Sequence, residues 1–172
     1  KATVLPLIET GFNPHNYALN PSDIARLNEL DALVVNGIGH DEFVLKAVSR
    51  IKPANLTMIY ANEDVPLLMH NNMPNPHTFV SVDAAIRQVY SIAKALGKLD
   101  PANAKTFSKN AFMYAKKLRG LKQGLQHTLI NKDVSDIKIA STHNAYGYLL
   151  QEFGLTVSAV VEPAHGEKPS AS

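Results

Sequence analysis

Three of the seven histidines share a setting that would let them act together. His15 and His77 each follow a short apolar segment that reads as a β-strand, and His143 directly follows another, Ile137-Lys138-Ile139-Ala140. In parallel α/β sheets the loops at the carboxyl ends of strands line the ligand crevice. Strands from two parts of the chain would then bring three imidazoles to one cleft. Neutral imidazole is the commonest metal-ligating side chain, and three of them suit zinc, with copper, nickel and iron chemically open. Two of the three sit in one phrase, Asn13-Pro14-His15 and Asn75-Pro76-His77. Proline fixes φ just ahead of the imidazole and lowers the entropic cost of holding it. Asn-Pro also begins ordinary turns, so seven unrelated surface histidines is the plain alternative.

The remaining histidines have blander settings. His70 lies beside Glu63 and Asp64 in a long loop and reads as an exposed loop residue sooner than an auxiliary ligand. His40 with Asp41 and Glu42 would make a second site, but acidic residues at a helix start also complement the helix dipole, and that reading is preferred. His127 falls where a cation suits C-terminal helix carbonyls. His165 lies in a turn and takes no assignment. Tyr17 and Phe79 each stand two residues after a candidate ligand, either walling a metal pocket or filling the core.

Other chemistries find little support. The chain has no cysteine, so disulfides and thiolate metal sites are excluded. Gly37-Ile38-Gly39 lacks the third glycine and the later acidic residue of a dinucleotide site. Ser141 is too near His143 in sequence to form a triad with it, and no nucleophile elbow is present. A formal net charge of +2 does not suggest nucleic acid, and the run Lys116, Lys117, Arg119, Lys122 reads as a solvated helix face. No apolar run approaches the roughly 20 residues that span a bilayer. No signal-peptide pattern is legible, which suits a processed extracytoplasmic chain and a cytoplasmic one equally.

The elements that would position the histidines alternate. Thr3–Ile8, Leu33–Val35 and Leu56–Tyr60 read as strands. Asn20 reads as an N-cap, with Pro21 at the first helical position and Asp23 completing a capping box. Phe43, Val44, Ala47, Val48 and Ile51 mark a helix stopped before Pro53. The stretch Ala61–Pro76, with three prolines and four asparagines, reads as a long irregular loop, of a kind that is uncommon and often functional. A helical stripe follows at Val82, Ile86, Val89, Ala93 and Leu96. Asp100-Pro101 restarts a helix whose stripe is Phe107, Ala111, Tyr114, Leu118, Leu121 and Leu125. Reaching about His127, it would be roughly 40 Å long, a strut between two lobes. Then come a strand at Ile137–Ala140, a helix at Ala145–Phe153 capped by Gly154, and a strand at Val157–Val161. The fold class is α/β: parallel-sheet lobes of βαβ units joined by a long helix. The expected division is an N-terminal lobe over 1–99, a connecting helix over 100–127 and a further α/β lobe from 128 to 172.

Gly11-Phe12-Asn13-Pro14-His15, Pro21-Ser22-Asp23, Asn36-Gly37-Ile38-Gly39, Asn75-Pro76-His77-Thr78-Phe79, Asp100-Pro101-Ala102-Asn103, Ser141-Thr142-His143-Asn144-Ala145 and the segment from Glu162 to Ser170 together resemble, in order and spacing, the zinc- and manganese-binding proteins of bacterial ABC transporters. The resemblance runs over essentially the whole chain. It implies that His15, His77 and His143 are metal ligands, and the histidine at 143, where manganese-selective members tend to carry Glu, tilts the choice to Zn2+ over Mn2+. It implies further a periplasmic or otherwise extracytoplasmic protein, with a lipid anchor as one mode of attachment. Its role would be to deliver the ion to a membrane ABC permease, as a monomer and not as an enzyme. The family chain is longer at both ends, and its fourth ligand, an Asp or Glu, has no counterpart here, so a fragment of a longer protein is expected. Two rivals stand beside this: a zinc hydrolase or lyase using three histidines and an open coordination position, for which no general base is apparent, and a metal-free adhesion or contact module.

Overall fold

Asn20 closes the capping box read from the sequence. Its side chain accepts from Asp23 N at 3.0 Å while the Asp23 carboxylate accepts from Asn20 N at 3.0 Å, opening α1 (Pro21–Leu27). This is seen in a computed structural model that describes residues 2–8, 11–12, 17–70 and 72–161. Asp23 is buried, and it also accepts from the Tyr17 hydroxyl at 2.7 Å and pairs with Arg26 at 2.8 Å. Burial pushes its carboxyl pKa up, but the hydrogen bonds from Asn20, Tyr17 and Arg26 and the guanidinium charge together hold it below the usual value.

The expected first strand, Thr3–Ile8, does not form a strand. A strand needs a neighbour to receive its ladder of hydrogen bonds, and among the described residues this segment pairs with none. It is tacked down instead by Arg26, whose guanidinium donates to Leu7 O at 2.7 Å.

Two parallel βαβ units make the α/β character explicit. In one, β1 (Ala32–Val35) pairs in register with β2 (Thr57–Tyr60) and α2 (Glu42–Ile51) makes the crossover. Leu27, Leu33, Val35 and Val44 form its core, with Phe43, Val48 and Ile51 packed around them. Lys52 ends α2 in the left-handed region at φ 50, ahead of Pro53. In the other, β5 (Ile139–Ser141) pairs with β6 (Val157–Val160) across a bulge at Ile139/Ala140, joined through α5 (Gly147–Gln151). That helix is shorter than the expected span of 145 to 153, and Gly154 at φ +71 follows its end. The stretch 61–76 is less irregular than expected, because β3 (Met69–His70) and β4 (Met73–Pro74) form a small antiparallel pair.

Between the two units lie α3 (Val82–Leu99), a 3-10 turn (Pro101–Asn103) and the 26-residue α4 (Ala104–Leu129), about 39 Å long. The two helices pack antiparallel, with Val82 and Ile86 near one end against Ala115 and Leu118 and Gly97 near the other against Ala104. The face that α4 buries is Ala111, Ala115 and Leu118. Tyr114, Leu121 and Leu125, expected in the same stripe, are exposed. Alanines let the backbones approach closely, so α3 covers a narrower strip of α4 than the apolar pattern suggested. No helix among the described residues is long and apolar enough to cross a membrane.

Candidate metal centre

At the carboxyl end of β1 the chain turns through Asn36-Gly37-Ile38-Gly39-His40. Gly37 sits at φ +78, and a Cβ there would lie 2.7 Å from Tyr60 Cδ1, so only glycine fits without displacement. Asp41 holds the turn, its two carboxylate oxygens accepting from Gly37 N at 3.0 and 3.1 Å. Asp41 is also the N-cap residue of α2 and Glu42 lies in its first turn, so both carboxylates stand at the helix start as the dipole reading expected, though Asp41 makes no side-chain cap hydrogen bond.

A buried amide network ties this turn to the segment carrying His77. Asn36 Nδ2 donates to Pro76 O at 2.9 Å, and Asn62 Nδ2 donates to both Asn36 O and Asn36 Oδ1. Gln88, from α3, donates to Asn62 Oδ1 at 2.9 Å and to Thr78 Oγ1 at 3.0 Å. Positions 76 to 78 are thus pinned to the ends of both strands and to α3.

His77 is buried, and its orientation is fixed by Asn75. Asn75 Oδ1 accepts from His77 N at 3.0 Å and faces His77 Nδ1 at 2.8 Å, while Asn75 Nδ2 donates to Asn144 O at 2.9 Å. That donation fixes which end of the amide is oxygen, and an oxygen only accepts, so Nδ1 of His77 carries the proton. Its Nε2 then presents a lone pair, and His143 Nε2 lies 2.8 Å from it. With both rings neutral, His143 donates to His77 across that contact. His77 also meets His40 edge to face, with ring centroids 4.7 Å apart, and Phe79 packs on His40 at 5.3 Å.

The partner segment is clasped to the same loop. The Tyr148 hydroxyl donates to Asn75 O at 2.7 Å and accepts from Leu68 N at 2.9 Å. Burial pushes the Tyr148 phenol pKa up, against the Leu68 N–H, which pulls it down. Glu152 accepts from the Ser81 hydroxyl and from Asp83 N at the start of α3, and Lys122 of α4 stands 3.6 Å from its other oxygen.

Of the candidate ligands, the structure brings His77 and His143 together from positions 66 residues apart. His15 lies outside the described residues, as do His165 and the segment from 162 to 170. Among the described residues no set of three or more metal-ligating side chains stands at ion-holding spacing. His70 and His127 are exposed. Tyr17 serves the α1 cap and packs on Phe43, whereas Phe79 lies against the imidazoles with half its surface outward. His40 is the residue whose role the sequence left open. It precedes the α2 N-cap and is buried against His77.

The model of the family described as zinc-uptake complex component A, periplasmic (ZnuA), matches residues 1–172. Among curated relatives, the iron-binding protein YfeA of Yersinia pestis is 27% identical over 156 residues, covering 89% of this chain and 50% of its own. The high-affinity zinc uptake system protein ZnuA of Bacillus subtilis is 25% identical, covering 100% of this chain and 58% of its own. Among solved structures, the SBP FpvC of Pseudomonas aeruginosa in complex with Ni2+ is 50% identical with a TM-score of 0.91, covering 99% of this chain and 63% of that one. A crystal structure of ZnuA is 27% identical with a TM-score of 0.83, covering 95% and 63%. The chain thus spans about half the length of the curated relatives it matches, from 50 to 58% in these two.

Proposed function

Because the chain belongs to the family of periplasmic component A proteins of zinc-uptake complexes, we propose that it captures a divalent transition-metal ion, zinc first, and passes it to a membrane ABC permease. The observation that carries this is the 2.8 Å approach of His77 Nε2 and His143 Nε2, with the His77 tautomer set by Asn75. Two imidazoles on one tetrahedral zinc, each about 2.0–2.1 Å from it, have their nitrogens about 3.3 Å apart. The ion needs only to part the pair by about half an ångström and take the place of the hydrogen between them. His143 then carries its proton on Nδ1, and Asn75 serves as the outer partner that orients His77.

His15 is the third ligand in this reading, on the strength of its Pro-His context and the family resemblance. Named relatives support the ion class: they include zinc-uptake and manganese-binding proteins, and FpvC structures with Ni2+ and with Mn2+. Residues 1–99 and 128–172 would act as parts of two lobes, with the helix between them as connector and the ion held at their meeting. The protein works outside the cytoplasm, as a monomer, and docks on its permease in the loaded form. The hydrolase or lyase reading is not favoured, since the family is that of an uptake-complex component.

Isothermal titration of the chain with Zn2+ and Mn2+, repeated on His77→Ala, tests this. A single zinc site that His77→Ala weakens at least tenfold is expected. Equal zinc binding by both proteins sinks the reading.

A further inference from the structure

We infer that Glu152 is a positioning residue for the captured ion, clasping α5 to the start of α3 so that His143 is held against His77. The inference rests on the metal-capture reading above and adds to it a coupling between the ion and a contact outside its site.

The β5–α5–β6 unit is joined to the rest of the chain by polar ties. Among the described residues, neither of the two apolar cores includes a residue of that unit. Tyr148, in α5, bonds to Leu68 N and Asn75 O. Glu152, at the C-terminal end of the same helix, reaches α3 instead. Residues four apart share a helix face and stand about 6 Å apart along it. Docked at Tyr148 alone, α5 can pivot about one hydroxyl. Docked at both residues, its direction is fixed. His143 lies just ahead of α5, and its carbonyl accepts from Ala145 N at 2.8 Å and from the Ser141 hydroxyl, so a pivot of the helix displaces it.

The contacts of Glu152 are directional. One carboxylate oxygen accepts from the Ser81 hydroxyl and, at 2.9 Å, from Asp83 N in the first turn of the 18-residue α3. First-turn amides have no acceptor within their own helix, and the helix dipole favours a carboxylate there. Ser81 is the N-cap of α3, and its oxygen also accepts from Ala84 N at 3.0 Å. The second carboxylate oxygen is buried, has no hydrogen-bond partner among the described residues, and lies 3.6 Å from Lys122 Nζ on α4. Lys122 pairs with Asp83 as well. The Glu152 side chain is only 6% exposed. Burying a carboxylate costs desolvation that a leucine would not. Such a cluster is a weak source of stability, and what it adds is a defined orientation.

Coupling follows. An ion bridging His77 and His143 opposes separation of the two parts of the chain, and the closed clasp opposes it too. Each then favours the other by the same factor. Asp83 N–H reports the clasp, because its acceptor belongs to Glu152 and exchange requires that contact to open.

The test titrates Zn2+ into the full chain, into Glu152→Ala and into His77→Ala, and follows amide hydrogen exchange with and without zinc. Expected for Glu152→Ala is zinc binding weakened about fivefold or more, the lower end of ordinary coupling between sites. In the parent, saturating zinc should slow exchange at Asp83 more than at Lys52, whose N–H bonds to Val48 O within the first unit. In Glu152→Ala that extra protection of Asp83 should vanish. A Glu152 that served stability alone would shift denaturant unfolding and move neither zinc readout. If Glu152→Ala binds zinc as tightly as the parent while His77→Ala binds weakly, the positioning role is overturned and the capture site stands. If His77→Ala also binds as the parent does, the capture reading fails and the coupling with it. Should Glu152→Ala not fold by circular dichroism, the parent decides, and zinc that slows Asp83 no more than Lys52 overturns the inference.

Discussion

Asn75 and Asn144 are joined by a 2.9 Å hydrogen bond from the Asn75 amide to the Asn144 main-chain carbonyl, across 69 residues of sequence. The other end of the same amide holds the His77 ring, so one side chain sets both the spacing of the two histidine-bearing segments and the tautomer of one histidine. Asn75→Ala should therefore weaken zinc binding about 10- to 100-fold, the usual loss for an outer-shell partner. Competition with a chromophoric chelator measures it. Asn75→Asp keeps an acceptor for His77 but loses the donor to Asn144, and should fall between the two.

Tyr148 makes the second tie, bridging Leu68 N and Asn75 O from a buried position. Tyr148→Phe leaves both backbone groups without that hydroxyl and should cost about 1–3 kcal/mol in denaturant unfolding.

The same residue gives a pH signature. Its folded pKa is raised above the unfolded value of 10.0, so the native state holds the phenolic proton more tightly. The resulting stability is fully present below about pH 10 and is lost as the pH climbs through the folded value. The parent should lose stability in that alkaline window, and Tyr148→Phe should lack this component.

Asp23 supplies the acid counterpart. Its folded pKa lies below the ordinary 3.8, so its contribution is present above that value and disappears as the pH falls through the folded pKa. Asp23→Asn should cost about 1 kcal/mol at pH 7, through the weakened capping box and Arg26 pair. Once the pH has fallen below the folded pKa, the two melting curves should converge.

Gly37→Ala combines an unfavourable positive φ with a Cβ placed 2.7 Å from the Tyr60 ring. A loss of about 1–3 kcal/mol is expected for the backbone strain. Adding Tyr60→Ala should recover the steric part and leave the torsional part, which a double-mutant cycle separates.

Much of this was legible before any coordinates. Asn20, Pro21 and Asp23 announced α1 because capping is local chemistry between neighbouring residues. The β1–α2–β2 unit was equally plain, because its apolar periods are short and bounded by Gly37 and Pro53. Thr3–Ile8 misled because an apolar, β-branched run specifies a strand only where a neighbour offers a ladder. The stripe on α4 misled for a related reason: periodicity marks which positions share a face, not how much of it α3 covers, and Tyr114, Leu121 and Leu125 lie beyond that cover. The proximity of His77 and His143 could be anticipated from strand ends, whereas the burial of His40 depends on the turn at Gly37–Gly39 and its bracing by Asp41. No spacing rule encodes that.

The amide web around positions 36, 62, 75, 78 and 88 has one more implication. In the metal-capture reading, loops tied together before any ion arrives would spend little energy on rearrangement, so occupancy would follow the intrinsic Irving–Williams ranking, which climbs to copper before falling at zinc. Such a cradle has no strong means of refusing a tighter-binding ion of similar size. Which ion the proposed site would carry is then decided by what the surroundings leave unchelated.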